Sequence, residues 1–465
     1  MMRILRRTGL SVPLAILVSI CLVRVCFARA EDVLTIEQMQ TDLRVLIDTV
    51  SAVHPALADS SARSAFKSRA EELLELIEPS MSLSAFSLLA ARVVNALPEA
   101  DGHTMVGLVS DQWVLPVRFR WLSDGLVISL VEGDTPLRQG DLVITLGGLT
   151  PDELLEGLRP YISAENEHWI RNRGERLINY RFMLDALRAI AEDGTVDIVA
   201  RRPGDAPGTS DVELRLTLAF APLSSDAIVP PQSERPWFGW RIEPEHSLGV
   251  FWLDRCDDTE EYRTAVDEFF TAVHDTGVRK VAIDVRRNTG GNSQVIDAIL
   301  RYLPANTIRT YGGRIRFSPQ ANAQRGYTFL MRLINLFSAK GPRAVTTPRP
   351  SDPRHIFTGD LYVLTSNQTG SSGMWLAVVL SDNWLATIVG EPTGGAPSGY
   401  GDILTFQLPE TGLRFAVSHK QWIRPDPTRD PTDTLMPDFF IPTTAEDIRA
   451  SRDPQLDWIR AVGSP

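Results

Sequence analysis

Cysteine is scarce in this sequence, with three in 465 residues. That is too few for the disulfide framework that holds small secreted domains together. Positive charge is also in deficit, 47 Lys and Arg against 58 Asp and Glu, a net of −11. A nucleic-acid surface needs clustered positive charge, and this overall balance argues against that class of partner. Long apolar runs are missing after residue 30: no stretch approaches the roughly 18 residues of a membrane span. Internal repeats and low-complexity tracts are absent as well. What remains is 43% hydrophobic and 23% charged, the composition of an ordinary globular protein. At roughly 150 residues per domain, the length allows about three domains.

The first thirty residues have a character of their own. Arg3, Arg6 and Arg7 precede an apolar run from Leu10 to Val23, and Ala28-Arg29-Ala30 follows. A charged start, an apolar middle and a small-x-small site read as a secretory signal peptide, cleaved after Ala30. The run is short for a span, and Arg24 interrupts its exit. Neither Cys21 nor Cys26 follows a small residue, which argues against a lipoprotein signal. Removal takes five arginines and no acid, moving the net charge to −16, and leaves Cys256 as the one cysteine. The mature chain is expected to be exported, periplasmic or secreted, with no stable membrane span.

Residues 31–112 read as a helical N-terminal domain. Leu43, Leu46, Ile47 and Val50 recur at helical spacing, as do Phe86, Leu89 and Val93. Pro55 and Pro79 mark the breaks. Residues 113–235 turn to strands, among them Leu126 to Leu130, followed by Leu137-Arg138-Gln139-Gly140-Asp141-Leu142 and a strand into Gly147-Gly148. That shape resembles part of a PDZ domain, a module that adds a peptide end as an extra strand at an open sheet edge. Residues 165–192 read as a helical insert within it, and the proline-rich run Ser224 to Pro236 as a linker. From 236 to 465 strands and helices alternate, which predicts an α/β core with parallel pairs.

Three segments of this scaffold can carry chemistry. Asp284-Val285-Arg286-Arg287-Asn288-Thr289-Gly290-Gly291 lies between a strand and a helix, where glycines let backbone N–H groups approach a ligand oxygen. Taken alone, it is a tight turn with an Asn cap; no Gly-Lys-Ser/Thr makes it a phosphate loop. Thr369-Gly370-Ser371-Ser372-Gly373 puts a serine at the start of an apolar helix, where unpaired N–H groups can stabilise an oxyanion. Taken alone, it is an ordinary N-cap. Asp101-Gly102-His103-Thr104 offers a histidine, the commonest general base near neutral pH.

Together with Gly390-Glu391-Pro392-Thr393-Gly394 and Pro437-Asp438, these segments resemble the tail-specific, or C-terminal processing, serine peptidases, including the tricorn-core and retinoid-binding-protein-like branches. Five motifs in the family's order span nearly the whole mature chain. The resemblance implies a crotonase-like (ClpP-type) α/β catalytic core with a helical N-terminal domain and a PDZ-like domain. It implies Ser371 as nucleophile and His103 as base. The amide of Ser372 and that of Gly290 or Gly291 match the oxyanion hole. The substrate it implies is a polypeptide.

The departures from that family are specific. Where the processing-protease branch has a lysine base, this chain has Ala396. Met374 replaces a glutamate, and Gly102 replaces the serine that the tricorn branch has before its histidine. Near the Pro-Asp element, Asp430 and Asp433 are the acids available to orient the base. His419 and Lys420 compete with His103 for the proton of Ser371. Ser64-Ala65-Phe66-Lys67 and Ser381-Asp382-Asn383 match fragments of penicillin-recognising enzymes, but no Lys-Thr-Gly accompanies them. No His-Glu-x-x-His or Cys-x-x-Cys is present, so neither metal nor cofactor is expected. The leading reading is an exported serine endopeptidase. Its rivals are a catalytically silent peptide-binding protein on the same fold and a small-ester or amide hydrolase.

Overall fold

The computed structural model describes residues 34–204, 210–223, 235–337, 339–430 and 432–462. The signal segment and most of the Ser224 to Pro236 linker lie outside the described residues.

Three helices open the described residues: α1 (Ile36–Val53), α2 (Ser60–Leu73) and α3 (Leu83–Asn95). Each starts on a side-chain cap. Thr35 and Gln38 form a reciprocal capping box at α1, while Asp59 and Ser82 accept from the first turns of α2 and α3. The residues at helical spacing, Leu43, Leu46, Ile47, Val50, Phe86, Leu89 and Val93, are buried. They do not close a core by themselves. Leu404, Leu413, Phe415 and Val417, more than 300 residues further on, complete it.

The short strands β1 (Met105–Val106) and β2 (Trp113–Val114) lead into β3 (Val117–Leu122), β4 (Gly125–Val131) and β5 (Leu142–Leu146). Then come α4 (Pro151–Leu158), α5 (Glu167–Leu177), α6 (Arg181–Ala186), β6 (Val196–Arg202), β7 (Val212–Leu218) and β8 (Ala221–Pro222). Strands β3 to β7 form one antiparallel sheet in sequence order. The Gly140-Asp141 turn is fixed by the buried Asp141 carboxylate, which accepts from Arg138 N–H and from the Arg202 guanidinium. Strand β3 is an edge, but it is not open. Glu175 accepts from Trp121 N–H at 3.2 Å, Asn179 Nδ2 donates to Val117 O, and Leu115 N–H donates to Asn179 O at 2.8 Å. The helical insert therefore occupies two of the backbone groups of β3, Trp121 N–H and Val117 O, and covers the approach to that edge at both ends.

The third part contains β9 (Phe238–Glu243), β10 (Leu248–Leu253), α7 (Glu260–Thr276), β11 (Lys280–Asp284) and α8 (Val295–Leu300). It continues through β12 (Thr307–Thr310), β13 (Gly312–Ile315), α9 (Pro319–Arg325), α10 (Phe329–Phe337), β14 (Arg343–Thr346) and β15 (Asp360–Thr365). It ends with α11 (Ser371–Asp382), β16 (Thr387–Gly390), β17 (Gly399–Gln407), β18 (Arg414–Ile423), β19 (Phe439–Phe440), α12 (Ala445–Ala450) and α13 (Pro454–Ala461). The main sheet runs β19-β16-β15-β11-β10-β9, parallel except for β9. Strand β11 is buried along its whole length, as parallel strands covered on both faces must be. This is the mixed α/β fold that the alternation of strands and helices predicts. A second sheet joins β1 and β13 to β18, with β17 on β18. Its β1–β18 pairing carries the chain just after α3 onto the C-terminal part.

Candidate active site

The loop after β11 and the loop after β15 are tied to each other before any ligand arrives. Ser366 Oγ donates to Arg286 O, Thr369 Oγ1 donates to Val285 O, and Gly370 N–H donates to Asn288 O. Asn288 is fully buried: its Nδ2 donates to Leu253 O, and its Oδ1 accepts Gly290 N–H at 2.9 Å. A side chain on Gly373 would meet Asn288 at 2.6 Å, so helix α11 approaches this turn closely only because that residue is glycine.

Ser371 is the first residue of α11, with φ +46 in the left-handed region that glycine favours. A non-glycine residue there carries local backbone strain. Gly290, at φ +112, lies directly behind it: a Cβ on Gly290 would stand 2.4 Å from Ser371 Cβ. The Gly290 N–H is taken by Asn288 and its carbonyl by Cys256 N–H. The N–H groups of Gly291 and Ser372 have no acceptor among the described residues. Of the two glycines, it is Gly291 whose amide stays available for an oxyanion.

His103 reaches this place by another route. Thr104 Oγ1 accepts Ser418 N–H at 2.9 Å, which fastens the 101–104 turn to β18. Asp101, buried beneath it, accepts from Thr104 Oγ1 at 2.5 Å, from His103 N–H at 2.9 Å and from His54 Nε2 at 3.0 Å. His54 Nδ1 in turn accepts Ala56 N–H, so the network assigns the proton of His54 to Nε2. Burial alone would raise the Asp101 carboxyl, but the hydrogen bond from His54, the electrostatic pull of the His54 and His103 rings and the hydrogen bond from Thr104 outweigh it and hold Asp101 far below its ordinary value. His103 Nδ1 lies 3.8 Å from Asp101 Oδ1 and 3.9 Å from Glu165 Oε1. Burial pushes the Glu165 carboxyl up, against the opposing pull of His103.

His103, Glu165, Gly291, Ser371, Ser372 and Lys420 line one cavity of about 390 Å³. Ala396 also lies on its wall and brings no titratable group there. Lys420 Nζ is held by Asp402 at 2.5 Å. His419 has both ring nitrogens engaged, Nε2 with Tyr327 at 2.9 Å and Nδ1 with Asp402 O. Burial pulls its pKa down to about 4. The two acids nearest the Pro-Asp element point elsewhere. Asp430 accepts from Ser398 Oγ at 2.7 Å; Asp433 is exposed, and its carbonyl accepts from Asn166 Nδ2. Asp438 accepts Ile388 N–H and seats β19.

Glu165 was not singled out in the sequence, and neither was Trp169. Both belong to the insert at 165–192, where no motif marks them. Asn166 caps α5 and is held by Asp433 O, which fixes the approach of both neighbours. Trp169 packs against glycines on three different loops: a Cβ on Gly102, Gly370 or Gly394 would lie 3.0, 3.1 or 2.4 Å from its ring. Asp101, His103 and Glu165 also converge within 4.8 Å, a spacing that a small cation fits. Asp101 already accepts three hydrogen bonds, however, which leaves it little capacity as a metal ligand. A larger cavity of about 850 Å³ lies between the five-stranded sheet and the core, bordered by Arg120, Arg173, Glu175 and Arg287. Neither Ser371 nor His103 lines it.

Comparison with known proteins adds a sequence match and a fold match. Residues 250–439 match the model of peptidase family S41. The structure resembles that of mature CPAF, with a TM-score of 0.64 at 17% identity, over 92% of this chain and 97% of that one. CPAF complexed with lactacystin gives 0.63 at 16% identity, over 92% and 97%. The photosystem II D1 C-terminal processing protease gives 0.43 at 16% identity, over 92% and 97%. At these identities the CPAF likeness is one of fold.

Proposed function

Because the chain belongs to peptidase family S41, and so to the serine-type peptidases, we propose that it is an exported endopeptidase whose nucleophile is Ser371 and whose base is His103. The observation that carries this reading is the convergence at one cavity of Ser371, His103 and two backbone N–H groups without acceptors. Three parts serve it: a helical N-terminal domain, a PDZ-like domain and a crotonase-like core.

Ser371 Oγ attacks the scissile carbonyl, and its proton passes to His103. His103 Nδ1 faces the two carboxylates, so Nε2 is the nitrogen left to receive it. Glu165 and Asp101 then sit beside an imidazolium and stabilise it. The N–H groups of Gly291 and Ser372 take the oxyanion, in a turn whose geometry is fixed beforehand by Asn288. Collapse of the tetrahedral species returns the His103 proton to the leaving amine. Water then attacks the acyl-serine, giving a proton to His103; collapse breaks the bond from the acyl carbon to Ser371 Oγ, His103 returns the proton to Oγ, and the carboxyl product leaves.

A fluorophosphonate probe tests this directly. Wild type is expected to be labelled and Ser371→Ala is not. An unlabelled wild type would favour the silent peptide binder, and turnover of acyl esters but of no peptide the small-ester hydrolase. The proposed export carries its own check: Glu31 should be the first residue of the mature protein.

A further inference from the structure

Helix α10 buries none of its residues. Phe329 is 79% exposed, Leu336 70% and Phe337 80%, and Leu330, Met331 and Leu333 are exposed beside them. At 100° per residue, Arg332 and Asn335 fall on one side, and the seven apolar residues of the helix cover the rest.

The charge around this helix is as uneven as its polarity. From residue 298 to residue 351 there is no Asp or Glu, against nine Arg or Lys, in a chain whose net charge is −11. Some of these cations face inward: Arg316 donates to the carbonyls of residues 51, 52 and 54, and Arg325 pairs with Asp402. Arg332 and Arg343 are exposed and have no carboxylate in ion-pair reach among the described residues. Lys340 bonds the carbonyl of Asn335 at the end of the helix. Strand β14, just after it, is exposed throughout and pairs with β12. Asn383 bonds both backbone groups of Arg309 on β12, and its neighbour Trp384 is 84% exposed.

We infer that α10, with Arg332, Lys340 and Arg343, seats this protein on an anionic lipid surface. A short helix with a wide apolar face flanked by cations places its apolar side chains at the acyl boundary and its cations among the headgroups. A second copy fits less well. A two-fold contact through α10 would set the cations of one chain against the same cations of the other, with no acid in the segment to balance them. The nine residues of α10 are far fewer than the roughly 20 that a span needs, so the contact proposed is one of lying on the surface. The inference does not rest on the reading of Ser371.

The test is flotation of the full chain with vesicles of phosphatidylcholine alone, or of phosphatidylcholine with phosphatidylglycerol. Wild type is compared with Phe329→Ser/Phe337→Ser and with Arg332→Gln/Arg343→Gln. The apolar run near the N-terminus is common to all three chains, so the differences report on α10. The aromatic variant should bind anionic vesicles at least about tenfold more weakly. The arginine variant should lose about fivefold per charge, and the advantage of anionic over neutral vesicles should shrink in high salt. Peptide turnover by both variants should match wild type. Equal flotation of all three chains, or no preference for the anionic lipid, overturns the inference. Loss of a concentration-dependent dimer in the aromatic variant, without a change on vesicles, overturns it in favour of a second copy.

Discussion

Glu165 occupies the space that any side chain at Gly102 would need. A Cβ at that position would stand 2.6 Å from Glu165 Oε2 and 3.0 Å from Trp169 Nε1. The tricorn-like branch that this chain resembles has a serine there, and this chain instead brings a buried carboxylate from another part of the molecule to within 3.9 Å of His103. Gly102→Ser should displace Glu165 or the turn itself and lower kcat/KM about a hundredfold, as a misplacement of about 1 Å does. Glu165→Gln keeps the shape and removes the charge. It should lower kcat and move the acid limb of the pH–rate profile to lower pH, because imidazolium loses a stabilising anion. An unmoved limb would limit Glu165 to packing.

The choice of base is decided by comparing two variants. Lys420 shares the cavity wall with Ser371 but is paired with Asp402, whereas His103 Nδ1 has only carboxylates beyond hydrogen-bond reach. His103→Ala should cost on the order of a million-fold in kcat, close to Ser371→Ala, since such residues act as a unit. Lys420→Ala should retain most activity. A folded, active His103→Ala beside an inactive Lys420→Ala moves the base to the lysine.

Gly290 tests the turn behind Ser371. At φ +112, with 2.4 Å available to the Cβ of Ser371, it has no room for a methyl group. Gly290→Ala should abolish fluorophosphonate labelling and destabilise the fold by about 1–3 kcal/mol, read by chemical denaturation. Normal labelling would mean that the turn yields without disturbing Ser371.

Glu175 gives a pH dependence of stability. Burial pushes its carboxyl up to about 7, although Arg120 and the Trp121 N–H oppose the shift. The native state thus holds a proton that the unfolded chain releases near its ordinary value of 4.5. Stability falls as pH rises between those two values, and the full cost stands above about 7. Glu175→Gln should therefore stabilise the protein by on the order of 1–3 kcal/mol at about pH 8 and change little at about pH 5. Denaturation midpoints at the two pH values supply the check. A stabilisation of equal size at both would assign the effect to something other than this proton.

Much of this molecule is legible along the chain because its signals are local. The apolar spacing of α1 and α3, the Gly-Asp turn before β5, and the strand and helix alternation after Leu248 depend on neighbours three or four residues away. The 284–291 turn and the start of α11 were legible for the same reason: glycine marks the positions where backbone must approach backbone, and that demand is written at the residue itself. Contacts between distant segments leave no such mark. The helical core closes on Leu404 and Phe415, and the edge of β3 is taken by Glu175 and Asn179. The His103 site receives Glu165 and Trp169 from a stretch that reads only as an inserted helix. A carboxylate's role is set by the groups that share its low-dielectric surroundings, and only folding brings those groups together. Local pattern thus reaches the elements, the helix that starts at Ser371 and the Gly290-Gly291 turn; which acids face His103 follows from the packed fold, because it depends on distances of a few ångströms between segments that pattern alone cannot order.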